Sequence, residues 1–201
     1  MSTKIKSGVD LKALAKEYLE IWNSEKYSKD TQKEDTIQAL VKEYPDNSDF
    51  EGVRKKVRML NSYYSTRMSD ASTESAAERI YNIKDFDKRV KKGDIQLVLE
   101  IATPSEKNEN KGFVFATKYC VLHQPEKYVI YDSFVNDVLK LCRNEKLISG
   151  YKGYVSNDFF EDITRYGDYM NAIKELKEKC GLDSFRDLDM FLWLYKKENK
   201  L

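Results

Sequence analysis

The chain has 201 residues, 34% of them charged and 41% hydrophobic, with a formal net charge of +1. That balance is globular, long enough to bury a real core, and too neutral for a protein that coats nucleic acid through a diffuse positive field. No apolar run approaches the roughly 20 residues of a membrane helix, and the polar start "MSTKIKSGVD" has no signal-peptide core, so a cytoplasmic protein with no membrane partner is expected.

Only 8 Gly and 3 Pro punctuate the chain, which favours helices over sheets. "VDLKALAKEYLEIWN" repeats Leu11, Leu14, Tyr18 and Ile21 on one helical face behind a cap at Asp10. "TQKEDTIQALVKEY" opens with Thr31 and Glu34 at capping-box spacing and stops before Pro45. "FEGVRKKVRMLNSYYS" carries Val53, Val57, Leu60 and Tyr64 at helical spacing. "STESAAERIYNI", "DFDKRVKKGD" and "DIQLVLEIAT" follow, and "PSEKNENKG" is the clearest loop. Beyond it lie "FVFATKYCVL", "SFVNDVLKLC", a Gly/Tyr-rich connector "SGYKGYV" and three further helical stretches, the last ending in "DLDMFLWLYKK". Trp193, with Phe191 and Leu194, reads there as part of a core-facing helix. Strand-like alternation never persists. The expectation is an all-α domain of about ten helices spanning 1–201, with the loop at 104–111 able to divide lobes 1–103 and 112–201.

Two charges stand out. Lys118 is the one charged residue from Phe113 to Leu122, a run apolar all the way round a helix and therefore expected to be buried. Lysine is rarely buried unless paired or used, and burial disfavours its ammonium because apolar surroundings cannot replace water. A neutral amine is a nucleophile of the Schiff-base kind. The alternative is that Lys118 snorkels its head to the surface. Asp132 follows the apolar "YVIY" and precedes an apolar-periodic helix, so it reads as an N-cap whose carboxylate is held ionised in a fixed direction.

The segment "FVFATKYC…YVIYDSFV" resembles the core of the 8-oxoguanine-glycosylase-like branch of the helix-hairpin-helix DNA glycosylases. The resemblance covers about 25 residues closely and the 50–170 region as an all-α layout. It implies that Lys118 attacks the anomeric carbon of a nucleotide whose base has left the stack, while Asp132 supports the charge developing on the sugar. A ring-opened Schiff base would form, and elimination could then nick the strand. The implied protein is a DNA glycosylase with β-lyase activity, acting on duplex DNA with a damaged or modified base. The family's Gly-rich hairpin is reduced here to "NKG", leaving Gly112.

Other residues are candidates for the DNA contact. In "LNSYYSTRM", Tyr63, Tyr64 and Arg67 suit base stacking and phosphate contact, or simply a helix end with polar tips exposed. Tyr119 flanks Lys118; His123, the one histidine, could touch an extruded base, shuttle a proton, or satisfy core polar groups. "SGYKGY" offers Lys152 and two glycines to a phosphate, or is a plain connector. DNA affinity is expected from a compact patch of Arg54, Lys55, Arg58 and Arg67, helped by Lys111 and Lys152. Cys120, Cys142 and Cys180 show no metal spacing, and no metal or cofactor is expected. Two other classes stand beside the enzyme: a non-enzymatic nucleic-acid-binding or regulatory domain on the same fold, and a helical protein-interaction module. The second would use the acidic 157–189 segment, with nine acids against five bases.

Overall fold

The computed structural model describes residues 4–64, 68–102 and 109–199, and within them every regular element is helical. The all-α expectation holds. The chain clusters into two units, residues 29–130 and residues 1–28 with 131–201. Neither border falls at 104–111, and 103–108 lie outside the described residues.

The 29–130 unit contains α2 (Ser28–Glu43), α3 (Phe50–Tyr63), α4 (Asp70–Tyr81), α5 (Phe86–Lys92), α6 (Gln96–Ala102) and α7 (Glu109–His123). A 3₁₀ turn, Glu25–Tyr27, runs directly into α2, so Thr31 and Glu34 lie inside that helix instead of opening it. The Asp49 carboxylate caps α3 by accepting from the Gly52 N–H at 2.8 Å. Behind that cap Val53, Lys56, Val57 and Leu60 form the buried stripe, packed against α4 and α7. A short connection closes α5 through Gly93 at φ 77°, the left-handed conformation glycine adopts without a Cβ clash. From Phe113 to Leu122 α7 is buried except at Val114 and Val121, which are half-buried on the face that carries Lys118; its apolarity predicts most of this burial.

The other unit holds α1 (Leu11–Trp22), that 3₁₀ turn, α8 (Ser133–Asn144), α9 (Ser156–Glu161), α10 (Thr164–Cys180) and α11 (Phe185–Asn199). Asp10 caps α1, accepting from the N–H groups of Lys12 at 3.0 Å and Ala13 at 3.1 Å. α1 packs on α10 and α11, where Tyr18 meets the rings of Phe191 and Tyr195. The "SGYKGYV" connector is exposed except for its tyrosines and half-buried Gly153: Tyr151 and Tyr154 are buried, and the amide of buried Asn136 donates to the Tyr154 carbonyl at 2.8 Å. The three cysteines are buried free thiols, and burial pushes Cys142 and Cys180 up to about 12, so they are inert. Among the described residues no helix is long and apolar enough to cross a membrane.

Candidate functional site

Lys118 sits midway along α7 and is 7% exposed. Its ammonium lies 4.2 Å from the centroid of the Tyr64 ring, a cation–π distance. Tyr64 is the C-cap of α3, its N–H donating to the Leu60 carbonyl at 3.0 Å, and Tyr63 packs edge-on against its ring at 4.5 Å. The fold therefore brings three sequence candidates together: Lys118, Tyr64 and Tyr63. Arg67, the fourth from that neighbourhood, lies outside the described residues.

Asp132 caps α8, accepting from the Phe134 N–H at 2.8 Å, and is half-buried. It belongs to the unit of residues 1–28 and 131–201, and Lys118 to the 29–130 unit.

Residues of the same helix, Tyr119 and His123, join a polar cluster centred on Lys56, which the expected DNA patch left out. Lys56 is fully buried at 0% exposure. Its ammonium donates to the Asp46 carbonyl at 2.7 Å, Asn47 Oδ1 at 2.8 Å and the Tyr44 carbonyl at 3.2 Å, and faces His123 Nε2 at 3.4 Å. The Tyr119 hydroxyl donates to the same Asn47 Oδ1 at 2.9 Å. Two obligatory or willing donors on one oxygen fix which way the Asn47 amide points, and leave its buried Nδ2 without a partner among the described residues. Burial draws the Lys56 pKa down to about 8 against the pull of Asp87, Asp46 and Asp49, so at neutral pH it is an ammonium with its donors used. Tyr119 and His123 thus act here as core residues fastening α7 to the α2–α3 turn. Tyr119 at 0% exposure offers DNA no surface.

Burial, and then the Lys56 charge, hold His123 down to about 3, with Asp46 opposing. Between that value and the ordinary 6.5, the unfolded chain binds a proton that the native chain refuses. Stability is therefore complete above pH 6.5 and falls as pH drops toward 3, with a loss of about 2 kcal/mol by pH 5. His123→Gln keeps an acceptor for Lys56 and does not titrate, so its Tm should fall less than wild type between pH 6.5 and 5. Parallel Tm profiles for the two proteins would remove His123 as the cause.

The expected basic patch is partly neutralised. Arg54 Nε and Arg58 Nη2 share Glu74 Oε2, at 2.8 and 3.3 Å, and Arg54 also reaches Glu51 at 3.2 Å. Lys55 is spent on Tyr44, bonding its hydroxyl and covering its ring. The side chain of Lys111 lies outside the described residues. Lys152 is exposed in the other unit, where its carbonyl accepts from Arg143 Nη1 at 3.0 Å. Gly112 sits in the first turn of α7 against the Ala102 carbonyl, a place where a Cβ would come within 2.2 Å of that oxygen. This is a close-packing glycine. A cleft of about 340 Å³ opens where α4 meets α5, lined by Tyr81, Asp85, Phe86 and Asp87 with Asn47 as a buried wall. Neither Lys118 nor Asp132 lines it.

A family model described as an N-terminal domain, HI_0787_N, matches residues 14–127, a stretch that takes in Lys118 and the whole Lys56 cluster and ends before Asp132. An uncharacterized protein of Haemophilus influenzae is 32% identical over 154 residues, covering 76% of this chain and 70% of its own length. No solved structure matches.

Proposed function

The chain belongs to the HI_0787_N family, and we propose that it is a DNA glycosylase with lyase activity in which Lys118 is the nucleophile. One observation carries the reading: the Lys118 side chain is buried, the one charge between Phe113 and Leu122, with its amine against an aromatic face. The motif resemblance around Lys118 and Asp132 supplies the reaction. The amine nitrogen forms a bond to the anomeric carbon as the glycosidic C–N bond breaks, and the base leaves with the electron pair and takes a proton. Loss of the amine proton and opening of the sugar give an imine, from which elimination of the 3′ phosphate nicks the strand. Asp132 is assigned to the positive charge that develops on the sugar.

The Tyr64 ring favours a second reading. A cation–π contact stabilises the ammonium, and an ammonium does not attack carbon. In that reading the domain binds nucleic acid without chemistry.

Borohydride trapping separates the two, because hydride reduces only an imine and joins enzyme to DNA through a stable secondary amine. Wild type should be trapped on a duplex drawn from a panel of oxidised and alkylated bases. Lys118→Gln should lose trapping by at least about a hundredfold while retaining DNA affinity, and Asp132→Asn should slow turnover more than it weakens binding. Base release undiminished in Lys118→Gln would sink the nucleophile assignment. Salt-dependent binding with no trapping on any duplex would leave the second reading standing.

A further inference from the structure

We infer that Phe134, backed by Trp193, is a stacking platform for one unstacked nucleobase of bound DNA. The inference rests on the nucleic-acid part of the reading above, not on the Lys118 chemistry. Phe134 is the second residue of α8 and is 40% exposed, one of three large apolar side chains so exposed among the described residues. A lone exposed phenylalanine would need no explanation. This one is backed on one side. Its N–H is bonded to the Asp132 carboxylate, and its ring lies near-parallel to Trp193 of α11, with centroids 6.4 Å apart and planes 22° from parallel. Trp193 is half-buried and meets Trp22 edge-on at 6.1 Å, so the aromatic series runs from the core of that unit and ends at solvent in Phe134.

Cations flank the same rings. The Lys196 ammonium is 5.9 Å from the Phe134 centroid and is held there by Asp137 at 3.1 Å. The exposed Lys197 places its ammonium 4.6 Å from the Trp193 centroid. A pre-ordered ring with ammonium groups beside it complements a flat ligand that carries negative charge a few bonds from its plane. A nucleobase on its sugar-phosphate has that chemistry. Lys196 is already paired with Asp137, so the exposed Lys197 is the cation left for a phosphate, and an apolar peptide side chain would not engage it. Stacking on an aromatic side chain contributes enough to change affinity about tenfold for one base, with little preference among bases.

The test uses the full chain and a short single-stranded DNA carrying a fluorescent purine whose emission is quenched by aromatic stacking. Wild type should quench the probe. Phe134→Ala should lose the quenching and bind about tenfold more weakly, with Tm within a few degrees of wild type, and Phe134→Trp should restore both. Lys197→Ala should keep the quenching and shallow the salt dependence by roughly one unit of log–log slope. Quenching and affinity unchanged in Phe134→Ala, or no probe binding by wild type, overturns the platform. Trapping by borohydride is read separately: trapping with an indifferent Phe134→Ala removes the platform and leaves the glycosylase, while Phe134-dependent quenching without trapping does the reverse.

Discussion

Replacing Lys56 with methionine should destabilise the protein by about 3 kcal/mol, the cost of taking one donor away from three hydrogen-bonded acceptors. Methionine fills much of the lysine volume, so the loss is electrostatic and not a cavity effect. The Tyr44 and Asp46 carbonyls lose the one ammonium that reaches both, and Asn47 Oδ1 keeps only the Tyr119 hydroxyl. A buried acceptor left unpaired costs about 1–3 kcal/mol, which applies in full at buried Asn47 and in part at half-buried Tyr44 and exposed Asp46. In thermal unfolding followed by circular dichroism the Tm should drop by roughly 10 °C or more. Lys42→Met, on the exposed face of α2, is the control and should stay within about 0.5 kcal/mol. A Lys56→Met protein as stable as that control would show that the buried ammonium holds nothing together.

The second large effect comes from one methyl group. Gly112→Ala should cost about 2–3 kcal/mol, although alanine is by about 1 kcal/mol the better helix former. The new Cβ would stand 2.2 Å from the Ala102 oxygen and 3.2 Å from its carbonyl carbon. Both atoms are backbone, so no side chain can swing aside, and α6 and α7 must part along their contact. Gly167→Ala in α10 provides the opposite sign, because nothing lies within 4 Å of its Cβ position. That variant should gain about 0.5–1 kcal/mol. Equal shifts for the two variants, measured by denaturant midpoint, would mean that α6 and α7 are not in close contact at Gly112.

Local chemistry was readable where it acts over a few residues. The Asp10 and Asp132 caps follow from an acid placed just before an apolar-periodic run, because an N-cap needs only its own helix. Thr31 and Glu34 had the same local pattern and lie within α2, since the preceding 3₁₀ turn already supplies a helical start. Trp193 read as core, yet it is half-buried with an exposed phenylalanine stacked on it, a pairing of residues nearly sixty positions apart that no periodicity reveals. The basic run "RKKVR" reads as a DNA-contact patch through Arg54, Lys55 and Arg58, with no separate role for Lys56. Its signal was available in part: Lys56 falls on the stripe of Val53, Val57 and Leu60, while Lys55 does not.

Sequence by itself therefore determined the helical class, the burial of α7 with Lys118 inside it, and the capping carboxylate at Asp132, all consequences of periodicity and nearest-neighbour hydrogen bonding. Tertiary structure alone decided which cation was buried with oxygen partners and which stayed on the surface. An ammonium can leave water only when acceptors from elsewhere in the chain replace it, and those of Lys56 come from the turn after α2, nine to twelve residues away. His123 and Tyr119 were drawn into the same network for the same reason, across sixty-seven and seventy-two residues of sequence.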